Sequence, residues 1–121
     1  VNDGSIELDR KPGRIEVAPA VIGTAAGRVV LECYGVVGIA NRRLRHGKAE
    51  VLDDADYRKG ISVAVQRDQV TVDVYVVIEY GTRISEVAHN VMNRVRDALQ
   101  RMLGTAAVRV NVNVQGLRIS G

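Results

Sequence analysis

One cysteine, two histidines and two blocks of charge are the places where this chain could do chemistry. Cys33 is a potential nucleophile. It closes a run of Ala18, Val21, Ile22, Ala25, Ala26, Val29 and Val30 at three- and four-residue steps. That spacing puts it on the apolar face of a helix, where a thiol is usually inert packing. A single cysteine also excludes an intramolecular disulfide framework and a cysteine-based zinc site. His89 falls on the polar face of a second helix, and His46 sits among arginines and a lysine that would repel a bound cation. The two give no metal-ligand spacing and read as solvated side chains. Asp53, Asp54 and Asp56 could face a hard cation, but no calcium-loop glycine and terminal glutamate follow them. No serine elbow, phosphate-binding loop or dinucleotide fingerprint occurs. The expectation is a protein that is not an enzyme, with no catalytic residue, metal or cofactor.

Binding is the better prospect. Arg42, Arg43, Arg45 and Lys48 form a candidate anion-contacting loop, suited to phosphates of RNA or of anionic lipid. Glu50, Asp53, Asp54 and Asp56 follow closely and would offset part of that charge. Gly35-Val36-Val37-Gly38 matches the GxxG of KH RNA-binding domains in form. Its two valines and the strand after it favour a helix stop followed by a buried strand. A small nucleic-acid-binding module with a KH-like fold is therefore the alternative reading. The formal charge of +3 is too small by itself to imply nucleic acid.

These residues must be carried by a compact frame. The 121 residues predict one domain, and 46% apolar content predicts a globular one. With no Phe or Trp and four Tyr, the core is aliphatic. Residues 1–12 are polar and charged and read as a flexible N-terminal arm, followed by a short strand over 13–17. Pro19 suits the first turn of a helix ending near Cys33, with Gly23, Thr24, Gly27, Arg28 and Glu32 on its opposite side. Residues 36–40 read as a strand, and 41–60 as an irregular charged surface loop.

Residues 61–66 and 70–80 alternate strictly. A hairpin around Arg67-Asp68 pairs Val65 with Val70 and brings both apolar rows to one face. Arg-Asp is a poor tight-turn dipeptide, which suggests a looser turn. A helix over 84–103 buries Ile84, Val87, Val91, Val95, Leu99, Met102 and their neighbours. A last strand alternates from Val108 to Val114, and Gly116 breaks its phase, as a bulge would. The order predicts an α+β fold: one two-layer domain with a mixed or antiparallel sheet and both helices on one face. The opposite face would show Ser62, Ala64, Thr71 and Val77 beside a candidate partner-binding set of Asp73, Tyr75, Glu79, Arg109, Asn111 and Asn113. One aromatic there makes base stacking weak.

Several of these segments, in this order, resemble the alkaline shock protein family of Gram-positive and related bacteria. They are Gly13-Arg14-Ile15-Glu16-Val17-Ala18-Pro19, Gly35-Val36-Val37-Gly38-Ile39, Val77-Ile78-Glu79-Tyr80-Gly81, Ile84-Ser85-Glu86-Val87-Ala88 and Val110-Asn111-Val112-Asn113-Val114 with Gly116. The resemblance covers about residues 13–119, which it marks as one alkaline-shock-protein-like domain. It implies a non-enzymatic envelope stress response protein, cytoplasmic or peripheral at the inner face of the membrane. It also implies association with itself or with a related membrane-anchored protein, and a connection with fatty-acid metabolism. The chain departs from the family pattern in its basic balance and in its highly charged loop. No apolar run approaches the roughly 20 residues that span a bilayer, and the polar N-terminus reads as no signal peptide.

Overall fold

The computed structural model describes residues 6–7, 16–104 and 107–119. Ile6–Glu7 (β1) pairs antiparallel with Glu16–Val17 (β2), within the stretch read as an arm and a first strand. The rest of residues 1–15 lies outside the described residues. Ala18 is extended, as a residue before proline is held, and Pro19 opens helix α1 (Pro19–Leu31). Gly35, at φ 85°, turns the chain into β3 (Val36–Ile39). The GxxG segment is therefore a helix stop and the start of a strand, the form favoured from its valines.

The remaining strands are β4 (Ile61–Gln66), β5 (Gln69–Glu79) and β6 (Ala107–Arg118), with helix α2 (Ile84–Leu103) between the last two. β5 is the spine. β6 runs parallel to it along one edge for its whole length. β3 and β4 both run antiparallel along the other edge, one after the other. They meet at Tyr75, whose carbonyl accepts from Ala40 N–H at 2.8 Å and whose N–H donates to Gly60 O at 3.0 Å. Residues 41–59 leave and return through the gap between them. A parallel pair needs a long crossover, and α2 supplies it.

Both helices cover one face, α1 over β3 and β4 and α2 over β6. Ile22, Ala26, Val30 and Cys33 meet Val87, Val91, Val95 and Leu99 above the alternating row Val70, Val72, Val74, Val76 and Ile78. Burying five alternate β5 residues specifies the register, since a one-residue slip would turn the whole row to the other face. The expected bulge is present: Val76 faces Val114 while Val77 faces Gly116, leaving Gln115 as the extra residue.

Four sequence expectations need correction. Gly23 and Gly27 do not lie on the solvent side of α1. A Cβ at Gly27 would stand 2.7 Å from the Tyr57 ring, and one at Gly23 would touch Val63. The helix turns its bare glycine stripe inward, and Val21 is left 53% exposed. At the ends of the elements, Tyr80 and Ile84 keep the core-facing phase but are exposed, and Met102 is exposed at the border of the α2 stripe while Leu103 beside it is buried. The Arg67-Asp68 turn is a tight two-residue link between the paired Gln66 and Gln69, with Arg67 held at φ 53°. Val77, expected on an open face, is 1% exposed.

Candidate interaction surface

Val77 is covered by the charged segment itself. Residues 39–52, within the stretch read as an irregular loop, form an interrupted two-stranded ribbon, bridged at its base and near its tip. Ala40 bridges Val51, Asn41 N–H donates to Glu50 O at 2.8 Å, and Leu52 N–H donates to Ile39 O at 2.8 Å. Near the tip, Arg45 and Lys48 exchange both backbone hydrogen bonds around His46 and Gly47, each at positive φ. Positive φ at both central residues is the I′ hairpin turn. The chain returns through a 3₁₀ helix (Asp54–Lys59) leading to β4.

The ribbon bends over the sheet face opposite the helices. Gly38, Val77 and Gly116 are cross-strand neighbours there. Val51 sits on Gly38, 2.6 Å from where a Cβ would be, and Ala49 sits 3.1 Å from the corresponding point at Gly116. Gln115, freed from the ladder by the bulge, donates its amide to the carbonyls of Asn41 and Arg42 at 3.2 and 3.0 Å. Arg42 N–H donates to Lys59 O at 2.9 Å, and Asn41 Oδ1 accepts from Arg43 N–H at 3.0 Å. The base of the ribbon is thus fixed at several points, while Arg42, Arg43, Leu44, Arg45, His46 and Lys48 are all exposed. Of the acidic block, Glu50 approaches Arg45 at 3.8 Å, an exposed pair of small energetic weight.

The other half of this outer face is open. The register places Asp73 beside Asn111, Tyr75 beside Asn113, and Thr71 beside Arg109. Asn111 donates to Asp73 Oδ1 at 2.9 Å, and Asn113 donates to Val74 O at 3.4 Å. Five of the six expected face residues therefore form one contiguous polar patch. Glu79 pairs in register with Arg118 at the far end, beyond the point where the ribbon crosses. Among the described residues β6 pairs with β5 alone, so its twelve residues form a rim of the sheet next to this patch. Sequence reasoning missed Gln115, Val51 and Ala49. The bulge signal at Gly116 could have drawn attention to Gln115.

The reactive side chains are separated and occupied. Cys33 is buried, its Sγ against Val29 O at 3.3 Å. Burial pushes its pKa up, opposed by the charge and hydrogen bond of Arg94 at 3.8 Å. His89 places Nδ1 2.8 Å from Ser85 O, within its own helix. Glu86, three residues before His89, instead pairs with Arg83 at 3.2 Å. Among the described residues no group of His, Cys, Asp and Glu could hold a metal ion. An open groove of about 900 Å³ between α1 and β4 is lined by Gly23, Thr24, Tyr57, Ile61 and Val63 with Arg28. Its Thr24 hydroxyl donates back to Ala20 O at 2.9 Å, and no nucleophile–base pair faces it.

Residues 7–119 match the model of the alkaline shock protein 23 family, described by a cell envelope-related function. The chain belongs to this family. Protein YloU of Bacillus subtilis (strain 168) is 38% identical over 117 residues, covering 96% of this chain and 98% of YloU. A protein of Streptococcus pyogenes serotype M6 is 36% identical over 118 residues, 97% of this chain and 98% of its own. The stress response regulator gls24 homolog of Streptococcus pyogenes serotype M3 is 24% identical over 106 residues, 88% of this chain and 59% of the homolog. No solved structure matches. The family relationship confirms the resemblance carried by the glycine, proline and valine segments, and places the chain among cell-envelope and stress-response proteins. No helix among the described residues is long and apolar enough to cross a membrane.

Proposed function

We propose that this member of the alkaline shock protein family is a non-enzymatic envelope stress protein that works by making contacts. It binds further copies of itself, and protein partners near the cytoplasmic face of the membrane. The observation that carries this reading is the pairing of β6, among the described residues, on one side only, beside the polar patch of Asp73, Tyr75, Arg109, Asn111 and Asn113. A rim strand offers alternate N–H and C=O groups to another chain unless charge, proline or a bulge blunts it. Between Ala107 and Val114, β6 has one charged residue, no proline and no bulge. Strand addition there would extend the sheet and set the two polar patches side by side.

Sedimentation of the purified chain across a concentration series tests this reading. The wild type is expected to sediment above its 13.1 kDa monomer mass. Asn111→Lys is expected to shift it toward monomer, because like charges meet across an antiparallel pair. A wild type that stays monomeric at every concentration, with no protein co-purifying from native cells, contradicts the proposal.

A further inference from the structure

The ribbon has chemistry of its own, distinct from the rim of β6. Its tip carries Arg42, Arg43, Arg45 and Lys48 against the single carboxylate of Glu50, and no carboxylate lies between Asn41 and Ala49. Leu44 stands in the middle of the cations, 51% exposed, where a solvated loop gains nothing from an aliphatic side chain. The I′ turn at His46-Gly47, closed by the Arg45–Lys48 backbone pair, shapes the tip, and the Gln115, Lys59 and Glu50 hydrogen bonds fix the base at Asn41 and Arg42. A pre-shaped ribbon loses little conformational freedom on binding.

We propose that this ribbon docks the protein directly on an anionic phospholipid surface. The cations face the headgroup phosphates and Leu44 enters the acyl boundary. Charge complementarity selects an anion, and the leucine selects a bilayer over RNA. RNA would call for large aromatic stacking platforms, and residues 41–50 contain no Phe, Tyr or Trp and a single imidazole, His46. Two signals together, several basic residues and one inserted apolar side chain, suit reversible peripheral binding. This contact needs no partner protein, so it stands or falls apart from the self-association proposed above.

Vesicle co-sedimentation of the full chain decides it, using phosphatidylcholine vesicles with and without about 40% phosphatidylglycerol. The protein is expected to bind the anionic vesicles, to ignore the neutral ones and to release as salt rises. Arg43→Ser and Arg45→Ser should each weaken partitioning about fivefold. Leu44→Ala should weaken it about fivefold as well, with the melting temperature unchanged in all three. Inorganic phosphate at millimolar concentration should not displace the protein. Equal binding to both vesicle types, binding to neither, or indifference to Leu44→Ala overturns the proposal. So does tighter binding to single-stranded RNA than to the anionic vesicles, which would assign the ribbon to nucleic acid.

Discussion

Val51 occupies the space that a side chain on Gly38 would need. Its Cγ1 lies 2.6 Å from the position of a Cβ there, so the ribbon rests on bare backbone. This contact joins the charged segment to the sheet and seals Val77 beneath it. Gly38→Ala is expected to cost about 1–3 kcal/mol by overpacking. In Gly38→Ala/Val51→Ala the added methyl finds room, so the double variant should be more stable than the sum of the two single losses predicts. Urea unfolding of the four proteins in a double-mutant cycle measures the coupling.

Gly60 presents a harder case. A Cβ there would run into the Ala40 carbonyl oxygen, at the joint where β3 and β4 share the edge of β5. Backbone cannot swing aside as a side-chain tip can. Gly60→Ala should lose more than about 3 kcal/mol or fail to fold. At Gly47 nothing lies within 4 Å, and only its φ of 74° opposes a side chain. Gly47→Ala should cost about 1 kcal/mol. Thermal melts of the pair rank the two sites.

Gln115 is predicted to hold the ribbon without supporting the core. Gln115→Ala removes the donor to both Asn41 and Arg42 carbonyls and should cost about 1 kcal/mol. Hydrogen exchange should quicken over residues 41–50 and stay unchanged in α2.

Much of this frame was legible in the chain, and the misses share a cause. The β5 row and the α2 stripe could be read because one face of each is buried by side chains that recur at the element's own period. Counting apolar side chains carries the α1 face too far round, because Gly27 is buried by having none and Gly23 lies against Val63 and Ile61. Val77 looked solvent-facing by its phase in β5. Its cover comes from Val51 and Ala49, far earlier in the chain, in a charged segment held by two isolated bridges. Tyr80 keeps core phase just past the end of β5 and is exposed, and Met102 sits at the border of the α2 stripe whose buried member there is Leu103. The polar patch was found from alternation alone, because Asn111 and Asn113 keep step with Asp73 and Tyr75 across a straight parallel ladder.

Cys33 should behave as a packing residue. Burial raises its pKa, so the folded chain holds the thiol proton more tightly than the unfolded chain does. The stability this contributes is complete below the ordinary thiol pKa and is lost as pH rises through the higher folded value. Iodoacetamide should therefore react slowly with native protein at pH 8 and quickly in urea. Arg94→Ala removes the charge that lowers the pKa and should slow native alkylation further. A fast native reaction at pH 7 would point to a reactive thiol instead.

Contact through the rim and open face of the sheet is read most directly by hydrogen exchange at β6. Amide exchange over residues 107–114 is to be compared between dilute and concentrated protein. The account predicts slower exchange there at high concentration, with α1 and α2 unaffected and the difference abolished by Asn111→Lys. Identical exchange along β6 at both concentrations, with or without the substitution, would contradict it.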